Sequence, residues 1–273
     1  MKRGTDSMKT ISIPSDGISD ADLHFINAYE KEDGTLIFDA IRSDNRKVSR
    51  AMKEWPWAKS LKDFTDSSSK KSLWRYTVNV SGGSVERECI SDVPAYFGTV
   101  NPAVSGQKYQ YAYAAVGGMG TDNAPPQGIA KINVDTKEMD VWHPAEYEFC
   151  GEPMFAPKKS EDNNGNGNED DGYIISVLMN GKEKKSEVII LDATNIQAGP
   201  VARIPLGIAI PHGLHGCFAS SKECSWSAEE IERRAKLADK MESRGNMWNE
   251  VKSDFSGLGL RLDDFEDVFG DIL

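Results

Sequence analysis

An all-β fold is what this sequence predicts, on three observations. From about residue 35 to 218, short apolar segments are separated by turn residues. Several of these segments come as pairs joined by Asp-Gly, Gly-Gly or polar turns, which is hairpin chemistry. Helix-period stretches are scarce in this region and become prominent only after residue 220.

The first strand, 35–41 (TLIFDAI), follows Asp33-Gly34. The segment 74–80 ends in Ser81-Gly82-Gly83 before Val85 resumes, a second hairpin. Tyr109, Tyr111 and Tyr113 alternate with Gln110 and Ala112, which places three aromatics on one face of a strand. Segments 129–134 and 139–142 flank Asp135-Thr136-Lys137 as a further hairpin. The run 173–178, after Asp170-Asp171-Gly172, pairs with 188–191 across the polar loop 180–185. Segment 159–168 (KSEDNNGNGN) is polar and of low complexity, and reads as a surface loop. Strands in this number suggest a barrel, sandwich or propeller, and no repeat of fixed period chooses among them.

After Ser220 the pattern changes. Ser227-Ala228-Glu229-Glu230 is a capping box, and Ile231, Ala235, Ala238 and Met241 then share one face, predicting a helix over 228–244. Leu262, Phe265, Phe269 and Ile272 form a short amphipathic segment with Asp on its other face, most simply docked on its own domain, with a peptide that binds a partner as the sharper alternative.

Composition limits what such a domain does. The 273 residues carry a net charge of −11, without clustered Lys and Arg, which argues against phosphate contacts and a nucleic-acid partner. Four cysteines, at 89, 150, 217 and 224, form no CxxC pair and suggest neither a zinc knuckle nor a redox motif. No apolar run reaches the roughly 18 residues that span a bilayer, which leaves peripheral membrane contact open. The N-terminus, with basic residues but no apolar segment behind them, fits neither a secretory nor a transit peptide.

Only four histidines can be weighed as metal ligands: His24, His143, His212 and His215. His24 precedes a turn and the first strand, and His215 lies among Gly213 and Gly216, which free its ring to point into a crevice. By propensity alone each is more often a structural histidine than a ligand. His212 would point to the face opposite His215, and His143 falls at a strand end facing solvent, so neither completes a site.

The stretches 24–30 (HFINAYE), 150–155 (CGEPMF), 169–173 (EDDGY), 190–193 (ILDA) and 211–216 (PHGLHG) together resemble the second half of the carotenoid cleavage oxygenase family, which includes plant epoxycarotenoid dioxygenases and animal retinoid isomerases. Weaker support comes from Trp74-Arg75-Tyr76, Asn101-Pro102, 106–109 and 113–115. The patches run from residue 23 to about 218 in the family's order.

The resemblance implies part of a seven-bladed β-propeller, its C-terminal blades, over 1–220, with a helical acidic extension over 221–273. It implies Fe(2+) on the propeller axis held by four histidines, with His24 and His215 as two of them. Glu152 matches a glutamate that accepts the outer N–H of such a histidine. Relatives often carry another such glutamate where Tyr96 stands; a phenol brings no charge, and Asp92 is the nearby acid that would compensate. No catalytic residue beyond the iron site is implied. The activity implied is dioxygenase cleavage of a carotenoid or apocarotenoid double bond with dioxygen, and isomerisation of a retinoid-like ester shares the same site. Resemblance to plant and algal relatives points to plastid or cytoplasm. The family's first two iron-binding histidines belong upstream of residue 24, and nothing upstream in this sequence supplies them. The expectation is therefore a truncated chain, poorly soluble through unpaired blade edges. The alternative is a non-catalytic propeller remnant acting as a binding module.

Overall fold

A computed structural model describes residues 10–12, 24–43, 71–117, 126–158, 168–210, 213 and 215–219, together with 227, 229, 232, 233 and 236. The chain divides into two units, 1–218 and 219–273. Among the described residues, the first unit contains thirteen strands in three antiparallel sheets.

Sheet one runs β1 (His24–Glu30), β2 (Thr35–Ser43), β3 (Lys71–Asn79) and β4 (Ser84–Ser91), each strand beside its neighbour in sequence. Sheet two repeats this order with β5 (Ala95–Thr99), β6 (Tyr111–Val116), β7 (Gly128–Asn133) and β8 (Met139–Trp142). In sheet three, β9 (Glu148–Cys150) and β10 (Met154–Pro157) together line one edge of β11 (Gly172–Asn180), followed by β12 (Lys185–Asp192) and β13 (Pro200–Pro205). Successive four-stranded meanders of this kind are propeller blades.

Side-chain chemistry at the turns explains why the hairpins close. Asp33 accepts from the Thr35 amide at 2.9 Å while Gly34 takes φ +80°, and Asn79 accepts from the Gly82 amide at 2.7 Å. Two apolar layers then hold the blades together. Ile41, Leu73 and Ile90 of sheet one pack against Ala95, Ala112, Ala114 and Ile132 of sheet two, and Tyr113 and Ile129 pack against Phe155, Ile174, Leu178 and Ile189 of sheet three. The three tyrosines do not share a face. Tyr111 and Tyr113 join the second layer, whereas Tyr109, ahead of the strand, turns into the first, where its hydroxyl donates to the fully buried Asp39.

Polar clasps reinforce both seams. Within sheet one, Arg75 donates to both carboxylate oxygens of its cross-strand partner Asp39, at 2.9 and 2.8 Å, and so fixes the carboxylate that Tyr109 reaches across the first seam. Glu169 accepts from the backbone amides of Gln110 and Tyr111, and Lys131 pairs with Asp170 at 2.6 Å, tying sheet two to the start of sheet three.

In the second unit, Glu229, Glu232, Arg233 and Lys236 are helical, with a Glu232–Lys236 ion pair at 2.7 Å. The rest of the expected helix, the amphipathic segment 262–272, His212 and the loop 159–167 lie outside the described residues.

Candidate metal centre

Four side chains come together: His24 from β1, Phe97 from β5, Glu152 from the break between β9 and β10, and His215 from the segment after β13. His24 is the first residue of β1, opposite Ile41. Asn27, three residues on, fixes that strand against the loop that follows β5: its amide donates to the carbonyls of Val104 at 3.1 Å and Gln107 at 3.2 Å and accepts from the Gly106 amide at 2.9 Å.

Glu152 is presented by a break. Gly151, Glu152 and Pro153 stand opposite Ser176 and Val177, so β9 and β10 cannot form one continuous ladder. Pro153 has no N–H to give to it. A Cβ on Gly151 would lie 3.1 Å from the Val177 carbonyl, so glycine allows the backbone to stay close to β11 while the next residue swings out.

His24 and His215 approach each other with ring centres 5.7 Å apart and planes tilted by 50°. Glu152 Oε1 lies 3.2 Å from His215 Nδ1, and Glu152 Oε2 accepts from the Gly216 amide at 2.6 Å. A carboxylate offers only lone pairs, so the shared hydrogen sits on Nδ1 and His215 presents Nε2 as its basic nitrogen. The Glu152 side chain is 18% exposed and that of His215 is 57% exposed. Phe97 of β5 packs nearly perpendicular to both imidazoles, at 5.5 Å from His24 and 5.4 Å from His215.

Tyr96 does not join this group by hydrogen bonding. Its hydroxyl is buried without a hydrogen-bond partner among the described residues, its ring lies 5.6 Å from the Lys71 ammonium, and burial pushes its pKa up to about 12. Asp92 is exposed on the turn between β4 and β5, and His143 is exposed just beyond β8. Sequence reasoning passed over Asn27 and Phe97. An Asn inside an otherwise apolar strand was a legible sign for the first; the second has no sign apart from the glycine that follows it.

The spacing of the two rings is one that a shared ion allows. Two imidazoles bound to one ion through nitrogens at about 2.1 Å have ring centres roughly 4.5 to 6.4 Å apart, according to the angle at the ion. The observed 5.7 Å falls inside that window. Among the described residues, no three His, Cys, Asp or Glu side chains are arranged so that all of them could hold one metal ion.

A family model described as retinal pigment epithelial membrane protein matches residues 18–220. The chain belongs to the carotenoid oxygenase (retinal pigment epithelial membrane protein) family. It is 30% identical over 202 residues to apocarotenoid-15,15'-oxygenase of Synechocystis sp., covering 72% of this chain and 38% of that one. It is 28% identical over 207 residues to a zeaxanthin 7,8(7',8')-cleavage dioxygenase of Crocus sativus, covering 74% and 51%. The crystal structure of cobalt-substituted Synechocystis apocarotenoid oxygenase superposes with a TM-score of 0.63 at 29% identity, over 72% of this chain and 39% of that one. The chain thus spans between about a third and a half of the length of these relatives. Its sheets are blades of the C-terminal part of the carotenoid oxygenase propeller.

Proposed function

We propose that these blades supply half of an iron(II) centre in a carotenoid oxygenase that cleaves a double bond of a carotenoid or apocarotenoid. The observation that carries this reading is the approach of His24 to His215 with Glu152 on the outer nitrogen of His215. Imidazole suits ferrous iron, and the bound ion would supply the place where dioxygen is activated beside the substrate. His24 and His215 would hold the ion. Glu152 would fix the tautomer and orientation of His215, so that Nε2 stays basic and aimed, and Phe97 would wall the pair with apolar surface. In the overall reaction the carbon–carbon double bond breaks and each carbon takes one oxygen atom of dioxygen, giving two carbonyl products. The two further ligands would come from histidines upstream of this chain.

A second reading, a propeller remnant that binds without catalysis, is favoured by one observation: two histidines alone make a weak site, and among the described residues no third side chain is placed to hold the same ion with them. Iron content and ferrous affinity separate the two. The 273-residue chain is compared with a polypeptide extended upstream to carry two additional family histidines, each with and without His215→Ala, and incubated with an apocarotenal. Stoichiometric iron and aldehyde products in the extended form, both lost in His215→Ala, support the oxygenase. Iron in neither form sinks the metal reading and leaves the binding scaffold.

A further inference from the structure

The Phe97 backbone stands in the left-handed region at φ 34°, where a bulky residue is rarely found. It also falls at a bulge: Tyr96 faces Ala115 and Gly98 faces Ala114, so Phe97 has no opposite number in the ladder. Its side chain is thereby released from the alternation of β5. The ring packs beside both His24 and His215, so that the three ring centres stand 5.5, 5.4 and 5.7 Å apart, almost an equilateral triangle. Both Phe97–imidazole contacts are close to perpendicular, at 87° and 78°, the arrangement that aromatic quadrupoles favour. A core phenylalanine needs neither positive φ nor a bulge, and strain of this kind persists where the surroundings over-determine it.

We infer that Phe97 is a positioning residue, a wedge seated against one side of both imidazoles whose strained backbone keeps the two rings together at the spacing and angle a shared ion needs. This rests on the metal reading of the pair for its purpose, but not for its geometry. Without the ring, His215, held by Glu152 and more than half exposed, loses the surface that sets its angle to His24.

The test has a metal-free arm and a metal arm, both on the full 273-residue chain. In the first, ring-proton NOEs between His24 and His215 are recorded for the parent and for Phe97→Leu, Phe97→Gly and Phe97→Tyr. The wedge predicts an imidazole–imidazole NOE in the parent and in Phe97→Tyr, lost in Phe97→Leu and Phe97→Gly while the β1 and β5 amide signals persist. Glycine takes positive φ without strain, so Phe97→Gly removes the ring while leaving the bulge its backbone. An NOE that survives in Phe97→Leu or Phe97→Gly overturns the inference, and so does loss of the fold in both, which would make Phe97 an ordinary core residue. In the second arm, cobalt(II) is titrated and followed by its visible absorption. At least a tenfold weaker affinity with an altered band is expected for Phe97→Leu, in line with the loss on removing a group that orients a ligand, and rescue is expected in Phe97→Tyr. Equal affinity and an unchanged band in Phe97→Leu overturn the positioning role. A parent that binds no cobalt sinks the metal reading instead, and the NOEs still decide whether the wedge exists.

Discussion

Glu152 makes two contacts of different kinds, one to an imidazole that is more than half exposed and one to a backbone amide. Solvent screening weakens the first, so its value lies in orientation rather than stability. Glu152→Gln keeps the size but replaces two equivalent acceptor oxygens by one, and the new NH2 must face either the Gly216 amide or the His215 Nδ1 hydrogen. We expect cobalt or iron affinity to fall by about 10- to 100-fold with the thermal midpoint shifted by only a few degrees, checked by metal titration beside calorimetry. Tyr96 predicts the opposite balance. Its buried hydroxyl has no hydrogen-bond partner among the described residues, so Tyr96→Phe removes a desolvated polar atom and should leave stability unchanged or raise it by about 1 kcal/mol in urea unfolding. A loss of more than that would mean the hydroxyl is satisfied in solution. At this scale the sequence is legible only where a family pattern marks a residue. Glu152 is found through its Gly-Glu-Pro neighbours and would otherwise read as a surface acid, whereas the roles of Asn27 and Phe97 depend on contacts with segments 70 or more positions away.

Between β1 and β5 a missing side chain decides the packing. A Cβ on Gly98 would come within 2.5 Å of Cγ1 and Cδ1 of Ile26, so the two strands approach as closely as they do only because residue 98 is glycine. Gly98→Ala should therefore cost about 1–3 kcal/mol through overpacking and push β1, with His24 at its head, away from β5. Because Ile26 is only partly buried, Ile26→Ala should recover part of that loss in the double variant. Additive losses in a double-mutant cycle would show that the strands do not meet at this point. The hairpins themselves were readable, since Asp33-Gly34, the Asn79–Gly83 turn and the Asn180–Lys185 loop carry turn chemistry in their own residues. What periodicity could not supply was everything non-local. The split of β9 from β10 arises from register against β11, and Tyr109 leaves the face of Tyr111 and Tyr113 because Asp39, 70 positions earlier, draws its hydroxyl into the other seam.

At the scale of the molecule, both seams between blades are lined by protonated groups that burial keeps protonated. Desolvation, then the Asp39 charge, raises the Tyr109 phenol; desolvation, then Asp170, raises that of Tyr113. Desolvation pushes Tyr96 up to about 12, and desolvation with Glu148 beside it pushes the Cys150 thiol up to about 12. In the unfolded chain these groups release their protons near pH 9 for the thiol and 10 for the phenols. The folded chain thus holds more protons than the unfolded one above about pH 9, and stability must fall as pH rises. The contribution is fully present below pH 9 and is lost as pH climbs toward 12, by about 1.4 kcal/mol per pH unit for each group that differs. The urea midpoint should therefore stay level from pH 7 to 8.5 and drop steeply from pH 9 to 11, with a shallower slope in Tyr96→Phe, which has one buried phenol fewer. A midpoint that holds level to pH 11 would mean that these phenols reach solvent, and so that the blades separate locally without unfolding.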